Sequence, residues 1–92
     1  MILSFRHRGL RLLYEDDDRR GLNADHVPKI RTILARLDAS KGPQDMDVAG
    51  LKLHALKGDL TGFWSVTVRA NWRIIFRFNG ENGTDVDYVD YH

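Results

Sequence analysis

The spacing of apolar residues changes once along the chain, from a helical period in the first half to alternation in the second. Leu10, Leu13 and Tyr14 recur at helical spacing and predict a first helix over roughly His7 to Asp16, after "MILSF", a short apolar run suited to an edge strand. The acids at its far end oppose the helix dipole, and "DDDRRG" reads as a stop and turn. A second helix follows, which Asn23 or Asp25 can cap, with Pro28 in the first turn, where a missing N–H breaks no intrahelical bond. Val27, Ile30, Ile33, Leu34 and Leu37 form its apolar stripe, Lys29, Arg31 and Arg36 point elsewhere, and "SKGPQD" ends it.

From Leu51 onward the pattern alternates, with Leu51, Leu53 and Ala55 on one face of a strand and Lys52 and His54 on the other. "LKGDLTG" is a glycine-rich turn, and "FWSVTVRANWRIIFRF" is two strands with a break near Asn71. A two-residue loop would pair Arg69 with Trp72 and mix apolar with polar side chains on both faces. A three-residue loop, 70–72, pairs 69 with 73, 66 with 76 and 65 with 77 and keeps one face apolar. Ala70 is also a poor residue for the positive φ of a tight turn, whereas Asn71 tolerates it. The expected register therefore sets Arg69 beside Arg73, a like-charge pair that costs a few tenths to about 1 kcal/mol unless an anion lies there or the two splay into solvent. In the last strand, "TDVDYVDYH", Val86 and Tyr88 share one face and Asp85, Asp87 and Val89 the other. Alternation sends Tyr91 and His92 to opposite sides, so both reach one site only if the strand twists or bulges at its end.

A length of 92 residues allows one compact domain, 1–92, and its 42% hydrophobic and 29% charged residues are those of a globular protein. No cysteine is present, which excludes disulfides and thiolate metal sites and makes a reducing cytoplasm the simplest location. "MILSFRHRGL" holds too short an apolar segment for a signal peptide or a membrane span. The net charge is only +1, but its distribution is uneven. Between Leu51 and Gly80, Lys52, Lys57, Arg69, Arg73 and Arg77 are set against the single acid Asp59, while acids collect in "YEDDD" and in the last strand. Such segregation gives either a surface that attracts a polyanion or a solvated charged face.

The histidines His7, His26, His54 and His92 are not spaced as helical metal pairs, and no glycine-rich phosphate loop or serine nucleophile elbow occurs. What remains is a set of imidazoles and cations. That set suits cleavage of RNA through its own 2′-hydroxyl, for which a protein supplies a base, an acid for the leaving 5′-oxygen and positive charge for the phosphorane. Imidazole exchanges protons near neutrality, and an aromatic ring can stack on a splayed base.

"LKGDLTGFWSVTVRANWRIIFRF" with the terminal "DYH", together with "SFRHRGLRLLYE" and "LARLDAS", resembles the HigB-type toxins of the RelE superfamily over nearly the whole chain. The resemblance implies an α+β fold in which two N-terminal helices pack on one face of a small antiparallel sheet. It implies a ribosome-dependent mRNA endonuclease that cuts messages in the 30S A site without metal or cofactor, leaving a 2′,3′-cyclic phosphate and a 5′-hydroxyl. The implied partners are a HigA-like helix-turn-helix antitoxin, the ribosome and mRNA, in the cytoplasm and with no membrane. By the same resemblance His92 and His54 are the catalytic imidazoles, with His92 the base and His54 in support. Lys57 and Arg73 stabilise the phosphate, Tyr91 stacks on the substrate and Asp90 orients a catalytic partner. Arg69, on the register argument, joins Asn71 and Arg77 as RNA contacts, although Asn71 also reads as a hairpin residue. Asp85 and Asp87 add negative charge near this set. A non-catalytic RNA- or ribosome-binding module using the same basic face is the alternative, and a protein-interaction module is another.

Overall fold

A computed structural model describes residues 1–91, so the expectations placed on His92 lie outside the described residues. The first helix, α1, is Arg8–Asp16. His7 caps it, its Nδ1 accepting the Leu10 N–H at 3.3 Å, and Asp17 ends it in the left-handed conformation at φ 56°. Gly9 lies so close to Gly21 that a Cβ there would sit 2.8 Å from the Gly21 carbonyl oxygen, so this approach of helix and loop requires glycine.

Of the two possible caps for the second helix, Asn23 acts: its side chain accepts the Asp25 N–H at 3.0 Å and starts a 3₁₀ turn, Ala24–His26. Helix α2, Val27–Ala39, continues from it and buries the whole expected stripe of Val27, Ile30, Ile33, Leu34 and Leu37. Ser40 follows, its hydroxyl donating back to the Arg36 carbonyl at 2.7 Å, and Pro43–Met46 forms a second 3₁₀ turn.

Four strands, β1 (His54–Ala55), β2 (Trp64–Arg69), β3 (Trp72–Asn79) and β4 (Asn82–Asp90), form an antiparallel sheet in chain order. The strand expected from Leu51 is reduced to two residues because Lys52 takes φ 54°, which breaks the alternation before it can extend. Leu51 still packs into the core and its carbonyl accepts the Thr67 N–H at 2.7 Å. The opening segment runs parallel along the free edge of β4 through the bridges Ile2↔Gly83 and Phe5↔Val86, in the edge position that its apolar pattern suggested.

The β2–β3 hairpin corrects the expected register. Arg69 pairs with Trp72 across a two-residue turn, and Ala70 takes the positive φ, at 51°. The mixing of faces that this turn would cause is removed by a bulge at Val68, beyond which Thr67 pairs with Arg73, Val66 with Ile74 and Trp64 with Phe76. Arg69 and Arg73 are therefore not cross-strand neighbours, and this hairpin does not call for an anion between them. Because a left-handed alanine costs about 1–2 kcal/mol and glycine loses more entropy on folding, Ala70→Gly should stabilise the protein by roughly 0.5–1 kcal/mol in urea unfolding. A destabilised variant would contradict this turn geometry.

The two faces of the sheet are covered differently. Val66, Val68, Ile74, Phe76, Val86 and Tyr88 pack with both helices in the main core. On the other face the connection from β1 to β2 folds back, and Leu56, Phe63 and Ile75 make a small second core flanked by Leu60 and Val89. In the main core Trp72 stacks on Tyr88 at 4.7 Å, and the Tyr88 hydroxyl lies 2.6 Å from Nδ1 of buried His26. Burial pushes the Tyr88 hydroxyl above its ordinary pKa, so it keeps its proton and shares a hydrogen bond with His26. Tyr88→Phe should then cost about 1–3 kcal/mol by leaving a buried nitrogen unbonded, read as a lower urea midpoint. An unchanged midpoint would show that water replaces the phenol at no cost.

Candidate functional site

On the sheet face away from the helices, cross-strand pairing sets His54, Ser65, Ile75 and Asp87 in one row and Thr67, Arg73 and Val89 in the next. Strand spacing and rise place the His54 and Arg73 Cα atoms about 12 Å apart, close enough for an imidazole and a guanidinium to approach one group from two sides. The ladder continues past β4, since the Tyr91 N–H donates to the Asn71 carbonyl at 2.8 Å. By alternation Tyr91 falls on the Arg73 side, with its ring exposed.

His54 is exposed, and its Nδ1 lies 3.1 Å from the Lys52 carbonyl oxygen. A carbonyl only accepts, so Nδ1 carries the proton in this contact and Nε2 of the neutral ring is left to take one. The left-handed backbone at Lys52 therefore turns a carbonyl towards the ring and sets its tautomer. Lys57 is exposed at the start of the 3₁₀ turn Gly58–Leu60, in the segment that Leu56, Leu60 and Phe63 fasten to this face.

Arg73 is half-buried, and its Nη1 donates to the Ala70 and Trp72 carbonyls, which ties the guanidinium to the hairpin turn. Its Nε is buried without a hydrogen-bond partner. A cation in a fixed place loses little freedom when an anion arrives, which is what stabilising a phosphorane requires. Arg69 is exposed opposite Trp72, and Asn71 is the second residue of the turn. Asp90 pairs with Trp72, in the row that faces the helices, so alternation separates its side chain from the row of Arg73. The geometry thus brings His54, Arg73 and Tyr91 to one face, sets Lys57 at its rim and leaves Asp90 on the other side of the strand.

Arg77 lies on the same face as Arg73 and rests against an aromatic ring, its guanidinium carbon 5.4 Å from the Phe63 ring centre. The charge of Asp87 on this face is answered by Arg6, whose Nε lies 3.9 Å from the carboxylate. Asp85 sits in a β4 bulge with φ 52°, its N–H donating to the Ser4 hydroxyl. Arg6 escaped sequence reasoning because its place depends on the parallel docking of the opening segment against β4. The one usable signal was that an edge strand there carries its next residue to the sheet's rim.

Similarity to known proteins agrees with this arrangement. Residues 3–92 match the HigB-like toxin family, described as the RelE-like toxin of type II toxin–antitoxin system HigB. The chain is 44% identical to Endoribonuclease HigB of Proteus vulgaris over 92 residues, covering 100% of both chains. It is 31% identical to Toxin HigB-1 of Vibrio cholerae serotype O1 over 80 residues, 85% of this chain and 84% of that one. A YoeB/ParE toxin from Agrobacterium tumefaciens superimposes with a TM-score of 0.59 at 24% identity, over 100% of this chain and 99% of the other. YafQ from E. coli superimposes with a TM-score of 0.58 at 14% identity, over 98% and 91% respectively, and these two likenesses bear on the fold alone. Two helices on one face of a four-stranded antiparallel sheet, together with a family match along almost the whole sequence, lead to one conclusion: the chain belongs to the HigB-like toxins of type II toxin–antitoxin systems.

Proposed function

We propose that this protein is an endoribonuclease toxin that cuts mRNA in the A site of translating ribosomes and is held inactive by an antitoxin. The type II family implies an antitoxin partner, and we assign a HigA-like helix-turn-helix protein to that role. The observation that supports the catalytic reading is that exposed His54, its Nδ1 held against the Lys52 carbonyl, shares a sheet face with an Arg73 tied to the hairpin.

In this reading one of the imidazoles His54 and His92 removes the proton of the substrate 2′-hydroxyl. The freed oxygen attacks the adjacent phosphorus, forming a bond there as the bond to the 5′-oxygen breaks. The second imidazole gives its proton to that departing oxygen, so the products are a 2′,3′-cyclic phosphate and a 5′-hydroxyl, with neither metal nor cofactor taking part. We take His92 as the base and His54 in support, as the acid once its Nε2 has itself taken up a proton. Arg73 and Lys57 meet the negative charge that accumulates on the phosphorane, and Tyr91 stacks on a base drawn out of the message. Asp90, paired with Trp72 on the other side of the strand, acts by orienting a catalytic partner and not by touching the phosphate.

An exposed strand face positions a bound message poorly by itself, and the ribosome, which holds the codon in an extended form, makes up that deficit. The test is to induce the protein in cells, map the 5′ ends of cut messages and repeat with translation blocked. Cuts in coding frame that disappear without translation are expected, and cuts that persist unchanged would remove the ribosome from the account.

A further inference from the structure

The guanidinium carbons of Arg6 and Arg77 lie 5.5 and 5.4 Å from the centre of the same Phe63 ring, which holds them within about 11 Å of each other. They come from distant parts of the chain, Arg6 from the segment docked on β4 and Arg77 from β3. Two cations on one ring repel, and a fold that gathers them spends part of the cation–π gain on that repulsion. The counter-charge is unequally placed: Asp87, 3.9 Å from Arg6, has a side chain only 19% exposed against 51% for Arg6. The acid therefore lies beneath and the guanidinium outside, so the surface presented to solvent is positive.

This cluster is separate from the row that holds Arg73. Along β3 the positions of Arg73 and Arg77 are about 13 Å apart by strand rise, with Ile75 of the second core between them. Arg73 is tied to the hairpin carbonyls and Arg77 to the Phe63 ring, so the two guanidiniums are held at different places. Phe63 itself is buried, so its ring is a support for the cations and not a stacking surface for a base. On the far side of Arg77 a groove lined by Ser4, Asn79, Thr84 and Asp85 carries an acid, which directs an anion towards the Arg6 side of the ring.

We infer that Arg6 and Arg77, held on Phe63, form a second phosphate-binding site that grips the RNA backbone away from the scissile bond. This rests on the endoribonuclease reading for the choice of RNA over other polyanions. A guanidinium stacked on an aromatic ring keeps its N–H edge free for a phosphate and loses little freedom on binding. The backbone could belong to the message or to ribosomal RNA, and the chemistry of recognition is the same for both.

The experiment measures binding of wild type and of R6Q/R77Q to a single-stranded RNA oligonucleotide and to ribosomes lacking message, across a salt series. The double variant should bind one or both about 10-fold more weakly, with the salt slope reduced by about 1.4 for the oligonucleotide. Loss on the oligonucleotide assigns the message, and loss on ribosomes alone assigns ribosomal RNA. Because glutamine at both positions shortens the side chains packed on Phe63, R6K/R77K serves alongside, and it should fold and keep most of the affinity. Unchanged affinity and slope in both arms overturn the inference. So does equal weakening by the lysine and glutamine variants, which marks a packing role. Binding is read without cleavage, so a wild-type protein that bound normally but cut nothing would fail the reaction and leave this site standing.

Discussion

His54→Ala should slow single-turnover cleavage of a ribosome-bound message by about 10²–10⁴-fold, the range for losing one proton-transfer group. The expectation follows from the proposed role: His54 is exposed, its Nδ1 faces the Lys52 carbonyl at 3.1 Å, and the proposal gives its Nε2 to the substrate. Alanine at this exposed position removes no core packing, so the urea midpoint should stay within about 0.5 kcal/mol of wild type. Binding to ribosomes should survive as well. A variant that cut at the wild-type rate would favour a role for this face in binding alone, which is the competing reading of the same cations.

Phe76→Ala should do the reverse, costing about 3–5 kcal/mol of stability. Phe76 is fully buried at the centre of β3, against the helices on one side and in T-shaped contact with Phe78. Against a total of roughly 5–15 kcal/mol for a small domain, that loss leaves the native state marginal. At about 4–8 °C per kcal/mol the melting temperature should fall by more than 10 °C. Residual cleavage per folded molecule should be normal, since the substituted side chain faces away from His54 and Arg73. A loss under 1 kcal/mol would mean that the sheet and helices repack without this ring.

The two helices were legible because their signals are local. The stripe from Val27 to Leu37 depends on spacing alone and appears as read, and of the two candidate caps Asn23 is used, for the 3₁₀ turn that leads into α2. The hairpin was misread because two deviations compensate. Ala70 accepts an unfavourable φ and Val68 bulges, and together they restore the apolar face that a three-residue loop was invoked to save. Face assignments along β2 and β3 survived the error, since the real and the expected pairings differ by an even number of residues. The pairing of Arg69 with Arg73, which rested on exact register, did not survive. Similarly, nothing local to Lys52 announced that it would cut β1 short and orient His54. The Arg6–Asp87 contact needed knowledge of which edge the opening segment would choose. Strand faces were therefore readable, whereas the mutual placement of the candidate site residues depended on bulges, left-handed residues and edge docking.

The central claim is that this face cuts RNA with the substrate's own 2′-hydroxyl as the nucleophile. Once the cleavage position is mapped, a message carrying a single 2′-deoxy nucleotide on the 5′ side of the scissile bond tests it directly. The account predicts that wild-type protein leaves that message intact on the ribosome while converting the all-ribose message to a 2′,3′-cyclic phosphate and a 5′-hydroxyl. Cleavage of the deoxy-substituted message at the same bond and at the same rate would contradict it.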